Sequence, residues 1–198
     1  TSDEIKYFKE FLKVQKNLES LELSTFNVDL TIFEDDALLS VDFRLKKLLI
    51  NTLKQFDMEN FKKFLQIHKK SLNEVKIMHD GTFEAIKLNY EEIITVLSQF
   101  ENLKVLTLNQ LNLSAIPIIS IESLTLQSIK KLKFDEICLN FPNLKTLEIY
   151  DTKNLKVDLT LSKLTELLID GSNIITFNIP PLKRLTLCDL ELKPAIFQ

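Results

Sequence analysis

Glycine is scarce in this chain, which has only Gly81 and Gly171 among 198 residues. A phosphate-binding loop needs several glycines at fixed offsets, so Gly-rich nucleotide-binding motifs are excluded. Histidine is equally scarce, and neither His68 nor His79 lies in a zinc-type cluster of ligands. The Gly-x-Ser-x-Gly and His-Glu-x-x-His motifs are both absent. We therefore expect no enzyme, no cofactor and no bound metal ion.

Cysteine and basic charge are also limited. Cys138 and Cys188 are the only cysteines, too few for a disulfide framework, which favours free thiols and a cytoplasmic or nuclear location. The net charge of -3 gives no basic surplus, so we expect no nucleic-acid partner. No apolar run is long enough for a membrane span. Residues 1–4 are polar and do not resemble a signal peptide; a secreted protein whose signal peptide was already removed is the alternative.

One spaced pattern recurs along the whole chain. In residues 144–149 it reads apolar, two variable residues, apolar, one variable residue, apolar. Eight copies occur, with first apolar residues 18 to 31 positions apart. This pattern resembles the strand of a leucine-rich repeat, whose period is about 20 to 29 residues. The predicted strands lie near 18–24, 45–51, 72–78, 103–109, 121–127, 144–150, 164–170 and 182–188.

The segments between strands differ in the two halves. Helical periodicity predicts helices over 3–14, 58–68, 89–100 and 135–140, the first with Phe8, Phe11 and Leu12 on its inner face. Residues 157–161 and 174–179 are predicted to be extended. Residues 129–134 also fit the strand pattern, but we prefer 121–127. We expect irregular turns, because no Asn or Cys stands three residues after the last apolar residue of any strand.

Together these features predict an α/β leucine-rich-repeat solenoid spanning residues 1–198 as one domain. Stacking is required because a single repeat cannot bury its apolar face alone. The expected shape is a curved horseshoe with a parallel concave sheet of about eight strands. Helices are expected on the convex side of the first half, and extended or irregular segments on that of the second half.

Three sequence segments are similar to segments of F-box leucine-rich-repeat proteins, especially those of the divergent insect type. Residues 60–77 and 8–18 resemble the helix-to-strand unit of that family, and Phe-Pro-Asn-Leu-Lys-Thr-Leu at 141–147 is a third typical phrase. The resemblance implies a non-enzymatic module that binds a protein substrate for a ubiquitin-ligase adaptor. The ligase scaffold would bind an F-box, which is missing from this chain. The alternative is a stand-alone secreted effector or inhibitor from an insect.

The variable strand positions are the candidate partner-binding residues, because alternate side chains of a strand face opposite ways. Exposed apolar or aromatic residues there favour a protein interface, and nearby acidic residues favour a basic partner. We select twelve positions on the expected concave face: Leu49, Lys76, Met78, Val105, Thr107, Asn109, Gln127, Glu148, Tyr150, Glu166, Leu168 and Asp170.

The two ends of the stack are the other candidate contacts. Solenoid ends need caps, and residues 190–198 keep apolar side chains at Leu192, Ile196 and Phe197. We expect either a homodimer through this C-terminal edge or a chain that continues. His68 is predicted to have a structural role at a helix end, and His79 to lie in a turn.

Overall fold

The protein has a mixed α/β architecture with parallel strands. The computed structural model describes residues 2–24, 33, 43–51, 58–78, 90–109, 117–129 and 132–192. The chain divides into two compact units, one made of Thr1–Asn89 and Gln99–Leu103 and the other of Tyr90–Ser98 and Lys104–Gln198. We call them unit 1 and unit 2. The expectation of a single domain stays a prediction.

The described residues of unit 1 form three parallel strands and two helices. The strands pair in the order β1-β2-β3, with Ser20, Lys47 and Glu74 in register. This register places the apolar residues of the repeated pattern side by side on one face, as the spacing predicts. The elements are α1 Ser2–Lys13, β1 Ser20–Leu23, β2 Lys47–Asn51, α2 Met58–Ile67 and β3 Glu74–Met78.

One apolar side chain of the first helix is exposed where the sequence predicts burial. Leu12 of α1 is buried, as expected. Phe11, which we expected on the inner face, is more than half exposed, together with Tyr7 and Val14. Because residues i and i+4 lie on the same side of a helix, Tyr7 and Phe11 form an exposed apolar stripe on α1, and Val14 directly follows the helix.

In unit 2, the part of the chain that the structure describes forms two parallel sheets. Its larger sheet has the strand order β4-β5-β6-β8-β10, and its smaller sheet has the order β11-β9-β7. The extended segments predicted after residue 151 are therefore short strands of a second sheet. The elements are α3 Tyr90–Leu97, β4 Val105–Asn109, β5 Ser123–Gln127, α4 Phe134–Asn140, β6 Thr146–Tyr150, β7 Leu155–Asp158, β8 Glu166–Asp170, β9 Asn173–Asn178, β10 Arg184–Cys188 and β11 Glu191–Leu192.

Each of the eight repeats contains one parallel strand. Three of these strands, β1 to β3, are in unit 1, and five, β4, β5, β6, β8 and β10, are in unit 2. Each strand begins two residues after the first apolar residue of its motif; β1, for example, begins at Ser20 rather than Leu18. The ambiguous repeat is settled in favour of 121–127, because β5 lies within it and α4 begins at Phe134.

The turns that follow four strands of the larger sheet of unit 2 share one backbone conformation, so the expectation of irregular turns was wrong for these four. The first residue after β5, β6, β8 and β10 has a positive φ in each case: Ser128, Asp151, Gly171 and Asp189. The N–H groups of Ser128, Asp151 and Gly171 each donate to the carbonyl of the last residue of the next strand. One backbone conformation therefore repeats although the side chains differ.

The core contains the apolar pattern residues together with apolar helix residues such as Phe61 and Ile137. Leu147 and Ile149 of β6 and Leu167 and Ile169 of β8 are buried almost completely. The pattern ends at β10, where Leu185 and Leu187 are 43% and 41% exposed. The same motif therefore gives buried residues from β1 to β8, including Leu21 and Leu23 of the end strand β1, and exposed residues at β10.

Candidate partner-binding face

Three of the predicted site residues lie on the non-core face of unit 1. Leu49, Lys76 and Met78 are each half-buried. Leu49 and Lys76 are direct neighbours in the register of β2 and β3, and Asn51 is the neighbour of Met78. Unit 1 thus brings an apolar side chain, a cation and a thioether together on adjacent strands.

The prediction fails on β4. Thr107 and Asn109 are only 3% and 4% exposed, so they are not available to a partner. Val105 of the same strand is half-buried. The alternation rule predicts which way a side chain points, but a parallel strand covered on both faces buries both sets of residues. Thr107 and Asn109 are therefore removed from the candidate site.

The other six residues form one patch in unit 2, which we call the Tyr150 patch. Tyr150 lies between Gln127 of β5 and Asp170 of β8 in the strand register. Two residues earlier on the same strands, Glu148 of β6 lies beside Leu168 of β8 in the same parallel register. Each member is half-buried: Gln127, Glu148, Tyr150, Glu166, Leu168 and Asp170.

Hydrogen bonds hold the centre of the patch in place. The Oε2 atom of Glu148 accepts a bond from Thr125 Oγ1 at 3.1 Å and one from Tyr150 Oη at 3.4 Å. Gln127 Nε2 donates to Asp151 Oδ2 at 3.2 Å. Thr125 and Asp151 were not among the predicted residues. Thr125 could have been found because it is the strand neighbour of Glu148 in the repeated pattern. Asp151 lies in a turn, which the apolar periodicity of the strands does not describe.

The environment of Tyr150 opposes ionisation of its phenol. Partial burial raises the pKa of Tyr150 above its ordinary value, and the negative charge of Glu148 and the hydrogen bond to it raise the pKa further. Asp170 and Cys188 add to this effect. A phenolate would meet carboxylates on both sides, so Tyr150 stays a neutral hydrogen-bond donor with an apolar ring.

The patch carries more negative than positive charge. Glu148, Asp151, Glu166 and Asp170 are acidic, whereas Arg184 on β10 is a cation beside them. Arg184 Nη1 lies 3.3 Å from Glu166 Oε2, so it offsets one carboxylate at the start of the strands. The other three carboxylates surround Tyr150 and give that end of the patch a negative potential.

The remaining candidates from the sequence do not form a chemical site in the part of the chain that the structure describes. His68 is buried in unit 1, and His79 lies outside the described residues. Cys138 and Cys188 are free thiols. Among the described residues, no group of three or more His, Cys, Asp or Glu side chains is placed to hold a metal ion. None of the described helices is both long enough and apolar enough to cross a membrane.

Comparisons of this chain with protein-family models, with curated proteins and with solved structures find no match.

Proposed function

We propose that this chain is a leucine-rich-repeat solenoid that recognises a protein partner, without catalysis, through the Tyr150 patch. The observation that carries this proposal is the position of Tyr150. Its ring lies half-buried between two strands, and its hydroxyl is held by Glu148. Tyrosine is a favoured interface anchor because it combines a large apolar surface with a polar tip.

The chemistry of the patch selects the kind of partner. Leu168 and the Tyr150 ring supply apolar area on adjacent strands. Glu148, Asp151 and Asp170 supply negative charge beside that area, so a complementary segment carries Lys or Arg next to an apolar side chain. The parallel strands fix all of these positions, so little conformational entropy is lost when the partner binds.

The partner-capture experiment compares three forms of the purified protein. The wild type, Tyr150→Ala and Leu139→Ala are immobilised, and proteins captured from the source cells are identified by mass spectrometry. Leu139 is the matched control, since it is an exposed apolar residue of unit 2 on α4, away from the patch. Tyr150→Ala should lose a partner that Leu139→Ala retains. The same partner bound by all three forms would contradict the proposal.

Salt and charge provide a second test on the same partner. Rim charges act mainly on the association rate, so binding should weaken as ionic strength rises. Glu148→Gln and Asp170→Asn should each weaken binding by about three- to tenfold at low salt and by less at high salt. A partner whose affinity is independent of both salt and these substitutions does not use the acidic side of the patch.

Two cellular settings fit this recognition function. The first is the substrate-binding part of an F-box-type ubiquitin-ligase adaptor, which is supported by the helix-to-strand unit of α2 and β3 within residues 60–77. The second is a stand-alone secreted effector or inhibitor. Purification of the full-length gene product separates them: the adaptor co-purifies with a ligase scaffold, whereas the effector is recovered outside the cell without one.

A further inference from the structure

Strand β10 lies at the edge of its sheet among the residues that the structure describes, and two of its leucines are exposed. Within the described residues, β10 has a strand neighbour on one side only, which is β8. Leu185 and Leu187 are large apolar side chains with more than a third of their surface exposed. The residues at the same positions of β8, Leu167 and Ile169, are fully buried. An edge of this kind is a template for pairing with another strand.

The hydrogen-bond pattern shows which residues of β10 face outward. Arg184 N donates to Thr165 O, and Cys188 O accepts from Gly171 N, so both groups are used on the β8 side. In a parallel ladder, alternate residues direct both backbone groups to the same side. The N–H and C=O groups of Leu185 and Leu187 therefore point away from β8.

The sequence of this edge is self-complementary. In an antiparallel pair centred on Thr186, Leu185 of one copy lies opposite Leu187 of the other, and the reverse. Both leucines have outward backbone groups, so each such pair exchanges two N–H···O bonds. Just beyond each end of this ladder, the exposed Lys183 of one copy comes near the exposed Asp189 of the other, which begins the turn after β10. No residue in this arrangement meets a like charge.

We propose that the protein forms a symmetric dimer by antiparallel pairing of β10 with β10 of a second copy, in register at Thr186. The four leucines then cover one another, and two Lys183–Asp189 pairs close the ends. Paired residues of an antiparallel ladder point to the same face, so the two Tyr150 patches lie on one continuous surface. Five strand spacings, or about 24 Å across the sheet, separate the two β6 strands that carry Tyr150. This inference does not depend on the proposed function.

Disulfide trapping tests the register directly. Thr186 and its symmetry mate form a non-hydrogen-bonded pair, whose Cα separation of about 4.5 Å suits a disulfide. Thr186→Cys, in a Cys138→Ser, Cys188→Ser background, should cross-link to a dimer under mild oxidation. Thr125→Cys in the same background is the matched control, because Thr125 occupies the same register row on the interior strand β5. A dimeric Thr186→Cys protein that cross-links no more than the control overturns the proposed register.

Sedimentation equilibrium tests the interface. The wild type should dimerise in the micromolar range, and Leu185→Lys should weaken dimerisation about a hundredfold or more while keeping the circular dichroism spectrum. Lys183→Glu places like charges together twice and should weaken the dimer about tenfold; Lys183→Glu with Asp189→Asn should recover part of the loss. A wild type that stays monomeric at high concentration overturns the proposal. If Leu185→Lys then also unfolds the monomer, Leu185 is covered within its own chain instead.

Discussion

The backbone N–H of Thr152 donates a hydrogen bond to Ser172 Oγ over 3.1 Å, and both residues are buried. Ser172 Oγ in turn donates to Asp170 O, and Thr152 Oγ1 donates to Tyr150 O. These residues stand three positions after the last apolar residue of β6 and β8, where we looked for asparagine or cysteine. The hydroxyl of Ser172 thus connects neighbouring turns of unit 2, whereas the hydroxyl of Thr152 bonds within its own turn.

Ser172→Ala should destabilise the protein by about 1 to 3 kcal/mol, because it leaves the buried Thr152 N–H without an acceptor. The measurement is the free energy of unfolding in urea. Ser162→Ala is the matched control, since Ser162 is exposed in a turn of the same unit and should change stability by less than about 0.5 kcal/mol. Equal effects of the two substitutions would show that the Ser172 bond contributes nothing.

Gly171→Ala should also destabilise the protein, chiefly through the backbone. Gly171 has φ +60°, and an added Cβ would lie 2.7 Å from Asp151 Oδ1. The carboxylate can move away, at the expense of its bond from Gln127, but the left-handed backbone still costs a non-glycine residue about 1 kcal/mol. Gly171→Asn has the same Cβ but tolerates positive φ better, so thermal unfolding should show a smaller loss for Asn than for Ala.

Leu147→Ala and Leu185→Ala should differ although both change the same motif position. Leu147 is buried, so its truncation should cost about 2 to 5 kcal/mol. Leu185 is 43% exposed and should cost about 1 kcal/mol when unfolding is measured at high dilution, where the monomer predominates. Losses of equal size in dilute solution would mean that Leu185 is covered within its own chain.

The sequence predicts a structural feature well when that feature depends on the spacing of nearby apolar residues. The recurrent apolar spacing predicts all eight strands, because it reports which side chains are buried. It places each strand start too early: Leu45 and Leu72 are buried, yet the ladder begins only at Lys47 and Glu74. Burial thus extends two residues beyond the hydrogen-bonded pairing.

Two predictions were wrong for other reasons: the exposure of Thr107 and Asn109 on β4, and the irregularity of the turns. Thr107 and Asn109 are buried, although their polarity and alternation suggest exposure, because burial depends on what covers the second face. The turn regularity was missed because it is a backbone property shared by different side chains, Ser128, Asp151, Gly171 and Asp189. A search for one residue type at one offset does not detect it.

His68 should make unit 1 sensitive to acid. Its ring is buried, stacks on Phe43 with centroids 5.6 Å apart, and meets the edge of Phe64 at 4.7 Å. Nδ1 accepts a bond from Leu45 N–H at 3.4 Å, which leaves the ring proton on Nε2, where no described residue accepts it. Burial, followed by the charge of Arg44, lowers the pKa of His68 from 6.5 to about 4.

This pKa shift fixes the direction of the pH dependence. The unfolded state takes up a proton on His68 below pH 6.5, and the folded state does so only near pH 4, so stability falls as the pH drops across that window. The loss from this group should approach about 3 kcal/mol. Unfolding in urea between pH 7 and pH 4 measures it, and His68→Phe should lose this part of the slope while keeping the aromatic packing. A parallel slope in both proteins would assign the acid sensitivity to other groups.

The phenol of Tyr150 should titrate above its ordinary pKa of 10, and the size of the increase should depend on Glu148. Ultraviolet absorbance of a Tyr7→Phe, Tyr90→Phe background isolates this one phenol. Glu148→Gln removes the negative charge next to the phenolate and weakens the acceptor of its hydrogen bond, so the pKa should fall towards 10. The increase caused by burial should remain, so the midpoint should stay above that of free tyrosine. If Glu148→Gln leaves the midpoint unchanged, the carboxylate does not hold Tyr150 in the position that we propose for partner recognition.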